Sequence, residues 1–531
     1  MTGFGGLSAF RTSVTLVALA FLALFLLYPL WIVLEASLVD ATTGGVTWEP
    51  YRHILASRYY RGSLANSLIA GALSMVWASA IGVPLAFCLA RIDIPGKSLL
   101  MTLASLPLVL PSFVSAYALV LLFGHAGVIT LALHRIGIPV GDIYGMAGIV
   151  IVFTLTLYPY VLMPTLAGFK AIDISVEEAA RNLGASRGRV FRTVLLPIVA
   201  PSVLAEDRPF LSLDIFKLFA GESDSNPAAA GALSTLLVAI TIAVLLLQRR
   251  YLAKRRFATG ARRTPPVMAL SRPWLLLATA YAWGVVLLSL LPFGAVLVIS
   301  FLQFSGPVLS WHLSLGNYAT LLHGSYQPLY STGILATAAA LAATLLGAPI
   351  GYVLVRHRSK LSTLLDMVAI VPFAVSGTVL GIGMIIAFNS GPLVLTGGWL
   401  ILVLAYVVRK LPFSIRSASA IVHQIDPSLE EASINLGVSP FRTFVTLTVP
   451  MMAGGMIGGM VLVWVTVAAE LSSTIVLYSS RWATMTVLMF QALEGTAPGQ
   501  SAAAAAILIL FTAIPLLLVY RFLRRQDGSL L

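Results

Sequence analysis

A stretch of twenty-five residues occurs twice in this chain at an offset of 253 positions, which requires a fold built from two halves of like topology. Asp173 to Pro197 reads DISVEEAARNLGASRGRVFRTVLLP, and Asp426 to Pro450 reads DPSLEEASINLGVSPFRTFVTLTVP. Thirteen positions are identical, including Asp173/Asp426, Glu177/Glu430, Glu178/Glu431, Gly184/Gly437 and Pro197/Pro450. Each copy is expected to form a short helix, a turn and a second helix. The aspartates suit the N-cap, Pro427 suits the first helical position, and paired glutamates favour the positive end of the helix dipole. Gly184 and Gly437 suit the left-handed residue that ends a helix.

Around these polar hairpins the chain is apolar. With 59% hydrophobic residues, 10% charged residues and a mean hydropathy of +0.95, its 531 residues read as an all-α, polytopic membrane protein. The net charge of +13 is spread over loops between apolar runs, which fits cytoplasmic loops rather than nucleic-acid binding. Spans are expected near Ser13–Ala36, Ser67–Ala90, Leu99–Phe123 and Ile143–Gly168. In the second half they are expected near Pro273–Phe301, Gly333–Val355, Leu361–Phe388, Leu400–Ile415, Met451–Tyr478 and Ala502–Tyr520. Gly82-Val83-Pro84, Arg91 and Pro107 recur as Gly347-Ala348-Pro349, Arg356 and Pro372 at an offset of 265.

The halves are therefore parallel repeats, each one span plus a five-helix core. They divide as 1–248, with its polar hairpin at 173–197, and 273–531, with its hairpin at 426–450. A basic linker at 249–272 carries Arg249, Arg250, Lys254, Arg255, Arg256, Arg262, Arg263 and Arg272 without an acid. The linker is expected on the cytoplasmic side, as are the N-terminus, with Arg11 and no acid in residues 1–12, and the C-terminus, with Arg521, Arg524 and Arg525, so the span count is even, about twelve.

The order Glu178-Ala179-Ala180, Gly184, Val194, Leu196, Pro197, repeated as Glu431-Ala432-Ser433, Gly437, Leu447, Val449, Pro450, resembles the signature loop of binding-protein-dependent ABC importer permeases. Ser433 and Val449 are mild departures from the family pattern. The resemblance covers nearly the whole chain except residues 206–226. With LPLVLPSFVSAY and ELSSTIVLY, the chain looks most like the ferric-iron permeases, with thiamine and aminoethylphosphonate permeases close behind. The resemblance implies a bacterial inner-membrane permease whose loops insert coupling helices into two copies of a separate ABC ATPase. It also implies a periplasmic or lipid-anchored binding protein that delivers the solute. The coupling residues it implies are Glu178, Ala179, Gly184, Glu431, Ala432 and Gly437.

One region breaks the repeat. The apolar run Val194–Ala205 stops at Glu206-Asp207-Arg208, and a dozen helical residues span about 18 Å against a hydrocarbon core of about 30 Å. Residues 198–228 form a helix continued through Ala220, or a re-entrant segment, or reflect a deletion of about eighteen residues relative to the family pattern, the reading favoured by the resemblance.

No catalytic constellation is present, so the chain reads as no enzyme and needs no cofactor. Gly96-Lys97-Ser98 lacks the glycine and preceding strand of a phosphate loop. The seven histidines have no metal-ligand spacing, and Cys88 is the single cysteine. Glu470 stands out as an acid in an apolar run; it is either a pathway or binding-protein contact, or a structural partner, with Arg481 as one candidate counter-ion. Pro111, in a proline-containing span, and Tyr158, in Tyr158-Pro159-Tyr160, are further pathway candidates. The competing class, an ion-coupled secondary transporter, predicts several mid-span ionisable groups, where Glu470 stands almost alone.

Overall fold

The computed structural model describes residues 2–39, 44–109, 112–125, 127–138, 143–171, 182, 227–253, 268, 270–305, 308–324, 326–357, 359–495 and 497–527. The first hairpin with Glu178, Ala179 and Gly184, the 198–226 stretch and Pro111 lie outside the described residues. So does most of the basic linker.

Eight helices among the described residues are long and apolar enough to cross a membrane, and a bent pair makes a ninth. The apolar helices Ala228–Val244 and Met485–Glu494 are shorter. The nearly unbroken apolar runs produce these helices because, in lipid, a helix satisfies its own backbone groups. Leu345, Trp31 and Trp77 point outward from them, as side chains facing hydrocarbon do. A small antiparallel hairpin, Leu302–Ser305 with Val308–Leu313, is the one sheet among the described residues.

The expected span Leu361–Phe388 is in fact two helices, Lys360–Ala374 and Gly377–Phe388, bent by 107°. Ser359 and Ser362 cap the first reciprocally. Pro372 sits near its end, and the extended Val375 (φ −94°, ψ 123°) turns the chain away. The first repeat has Lys97–Val109 and Ser112–Phe123 at the matching place. The apolar pattern runs straight through the break at Val375, so hydropathy alone joins what the backbone divides.

Contacts group the described residues into two units. One unit draws on 1–61, 211–240 and 314–531; the other draws on 62–210 and 241–313. The helix that opens each repeat thus belongs with residues of the other repeat. In the first unit, Gly383 lies close enough to the Pro29 carbonyl that a Cβ would come within 2.7 Å of it. In the second, Tyr281 donates to the Ile81 carbonyl (2.8 Å) and Trp283 to that of Pro95 (3.2 Å), which fixes the Arg272–Ile299 helix.

The first unit's core is a three-helix junction of Gln327–Arg356, Trp399–Val422 and Val449–Ala468. Small residues let the backbones meet. A Cβ on Gly351 would lie 2.7 Å from Ala418 Cβ and 2.8 Å from the Ile415 carbonyl. Without a hydrophobic drive between helices in lipid, such close packing holds them together. The second unit's core gathers Leu85, Leu89, Leu100, Tyr158, Leu162, Phe169 and Val286, all buried.

Candidate functional site

The second polar hairpin is built as its residue types require. Asp426 accepts from the Ser428 amide (2.9 Å) and Pro427 opens the helix Pro427–Asn435. Hydrogen bonds from Ser428, the backbone one foremost, hold the exposed Asp426 carboxyl below its usual range. At the other end the Gly437 amide donates to the Ile434 carbonyl (2.9 Å) and the Val438 amide to that of Ser433 (3.2 Å). This is a Schellman closure, and Gly437 takes the positive φ it needs, +87°. Ser439 then caps Pro440–Thr443.

The hairpin has two faces. Glu431, Ala432 and Gly437 are exposed, and Leu436 beside them is 85% exposed with Phe441 61% exposed. Glu430, one residue from Glu431, is buried. Its Oε1 accepts from Arg356 Nε (3.1 Å) and its Oε2 from the Tyr352 hydroxyl (2.9 Å). The periodicity of a nine-residue helix is too short to separate the two glutamates by sequence, although both recur in the repeat. Leu436 was equally legible, since Leu183 matches it.

A second polar assembly lies inside the unit. Glu470 follows the C-cap of the Val449–Ala468 helix, in the turn before Thr474–Leu477, so the expected span Met451–Tyr478 is broken there. Its carboxylate pairs with Arg409 and with Lys410 Nζ (2.9 Å), and accepts from Ser472 Oγ (2.7 Å). Arg409 Nη1 also donates to Ser472 Oγ (3.1 Å). The counter-ion expected at Arg481 is therefore Arg409 with Lys410; the Arg481 carbonyl instead accepts from Gln327 (2.8 Å).

The Glu470 carbonyl is held by Thr474 and Thr486, and Tyr406 hydrogen-bonds Thr474. The start of the Gly377–Phe388 helix meets the cluster so closely that a Cβ on Gly377 would lie 2.6 Å from Arg409 Nη1. The helix break and the ion cluster are thus one feature.

Arg409 and Lys410 sit within Trp399–Val422, a helix with thirteen buried residues, and their side chains are 17% and 13% exposed. The expected apolar span 400–415 thus carries two charges, and Glu470, with Arg409 and Lys410 against it, does not stand almost alone. Two adjacent cations in an otherwise apolar run were the available signal. The first repeat has Thr156 and Leu157 at these positions, so the cluster belongs to one half. Tyr158, fully buried, bonds the Ala104 carbonyl (3.3 Å) and Ser289 Oγ (3.1 Å) in the second unit's core. No group of histidine, cysteine or acidic residues among the described residues has metal-binding geometry.

Multiple long apolar helices, internal repetition and an exposed polar hairpin define a multi-pass membrane protein of two repeats. The chain belongs to the family of binding-protein-dependent transport system inner membrane components, which matches residues 80–206 and 343–530, more than half of its length. It is 28% identical to a probable ABC transporter permease protein of Sinorhizobium fredii over 79% of each chain. It is 26% identical to a putative ferric transport system permease protein of Haemophilus influenzae, over 86% of this chain and 76% of that one. A putative 2-aminoethylphosphonate transport system permease protein of Salmonella paratyphi A matches 44% of this chain, and 88% of its own length, at 28% identity. The chain is an ABC importer permease, its relatives are transport permease components, and the secondary-transporter class falls away.

Proposed function

We propose that the hairpins at 173–197 and 426–450 couple this permease to two copies of a separate ABC ATPase, which hydrolyses ATP on its behalf. The observation that carries the reading is the exposed face of the second hairpin, where Glu431, Ala432, Leu436 and Gly437 stand free beside a buried Glu430. An apolar tip flanked by a carboxylate suits a groove with basic or amide donors. By the repeat, Glu178, Ala179 and Gly184 have the same role. Both termini are cytoplasmic, the two repeats run 1–248 and 273–531, and a binding protein delivers the solute from outside. ATP binding closes the ATPase pair and opens the pathway outward; hydrolysis resets it.

Ferric iron is the favoured solute, supported by ferric permease relatives that match most of this chain. A 2-aminoethylphosphonate solute is the alternative, supported by the half-length relatives; thiamine has the sequence resemblance alone. Glu470 shapes the pathway by fixing the helix break at Gly377, Pro111 is a further pathway position by its place in the repeat, and Tyr158 supports a wall from the second unit's core.

Co-purification of the intact membrane protein with the ATPase tests the reading. Glu431→Ala is expected to lower ATPase recovery and stimulated hydrolysis on the order of tenfold, and Glu178→Ala with Glu431→Ala to abolish both. Wild-type recovery in the double variant contradicts a coupling role. Uptake of ferric iron against 2-aminoethylphosphonate by vesicles carrying the full system decides the solute.

A further inference from the structure

The buried side of the second hairpin is fastened to two different spans, and Tyr352 takes part in both attachments. Its hydroxyl donates to Glu430 Oε2 at 2.9 Å, while Arg356 Nε donates to Oε1 at 3.1 Å. Arg356 Nη2 also reaches the Ile425 carbonyl at 2.7 Å, one residue before the cap Asp426. Both carboxylate oxygens and the entry to the hairpin are thereby tied to the last turn of the Gln327–Arg356 helix.

The second attachment is aromatic. Phe10, near the start of the N-terminal helix, packs against Phe441 (5.8 Å between centroids), Phe444 (5.7 Å) and Tyr352 (6.4 Å). Tyr352 and Phe444 are 5.0 Å apart, and the Arg11 guanidinium lies 6.0 Å from the Tyr352 ring. A movement of the hairpin therefore pulls on the Gln327–Arg356 helix through an ion pair and on the N-terminal helix through ring contacts. The former carries it to Trp399–Val422, because at Gly351 the two backbones have no room to slide independently.

We propose that Tyr352, Arg356 and Glu430 form the transmission joint of the second coupling hairpin, with Phe10 as its link to the N-terminal span. Glu430 is a positioning residue that passes hairpin movement into the membrane, whereas its neighbour Glu431 makes the ATPase contact. The inference rests on the reading that 426–450 docks on an ATPase. The first repeat keeps the charges, as Arg91 and Glu177, but has Phe87 in place of Tyr352, so the hydroxyl is particular to the second hairpin.

The test uses the complete transporter, with ATPase and binding protein, in lipid nanodiscs and vesicles. Glu430→Gln and Tyr352→Phe are compared with Glu431→Ala for ATPase recovery and for solute, with ferric iron as the probe, moved per ATP hydrolysed. Tyr352→Phe keeps the ring packing and so keeps the fold. The joint requires ATPase recovery within about twofold of wild type in both variants. Solute moved per ATP then falls on the order of tenfold in Glu430→Gln and about threefold in Tyr352→Phe. The exchanged pair Glu430→Arg with Arg356→Glu recovers part of that ratio, and it is the fall in ratio at unchanged ATPase recovery that a merely structural role does not give. Loss of ATPase recovery in Glu430→Gln with an unchanged ratio makes Glu430 a docking contact and overturns the proposal; an unchanged ratio in both variants overturns it as well. If Glu431→Ala binds the ATPase normally, the docking reading fails separately.

Discussion

Replacing Glu470 by alanine is expected to cost about 3–5 kcal/mol of stability, because it removes the carboxylate shared by Arg409 and Lys410 in a nearly closed site. Against a total of about 5–15 kcal/mol, that loss removes much of the folded population. The carboxylate side chain is 6% exposed and receives two cations and a serine hydroxyl, so no solvent stands ready to replace it. Removing all three charges, as Arg409→Met, Lys410→Met and Glu470→Leu together, should recover most of the stability, since an apolar replacement leaves no uncompensated ion. Thermal unfolding of the detergent-solubilised protein reads both effects. A Glu470→Ala protein that melts with wild type would show that the cluster contributes nothing to the fold.

Widening Gly351 is the second large effect. The Cβ of Gly351→Ala would enter a space bounded by Ala418 Cβ at 2.7 Å and the Ile415 carbonyl at 2.8 Å, and a backbone atom cannot swing aside. The helices must separate, which also strains the Ser419 hydroxyl bond to the Gly351 carbonyl. We expect a loss of about 1–3 kcal/mol for alanine and more for leucine. Gly284 has open space where its Cβ would stand, so Gly284→Ala is expected to be neutral or slightly stabilising by the same melting measurement. Equal behaviour of the two alanine variants would remove the close junction from the account.

These features differ in how far the sequence disclosed them. The repeat made the second hairpin legible to single residues: Asp426 caps, Pro427 opens the helix and Gly437 closes it with a positive φ. Such signals are local, carried by residues whose chemistry permits few other conformations. The break at Val375 was not legible, because hydropathy is indifferent to a change of direction within an apolar run. The partners of Glu470 were hidden by separation along the chain, sixty residues or so, and by the habit of reading Leu400–Ile415 for its apolar majority. The exchange of opening helices between the repeats is a tertiary choice that parallel repeats leave open.

In the proposed coupling, the exposed tip of the second hairpin touches an ATPase. A photo-reactive amino acid placed at Leu436, in membranes carrying the whole transporter, tests it most directly, with the same residue placed at Trp311 on the exposed Leu302–Leu313 hairpin as a control. The account requires a cross-linked ATPase adduct from position 436 and none from 311. An ATPase that assembles with the permease but gives no adduct from 436 would contradict it and move the coupling contact elsewhere on the chain.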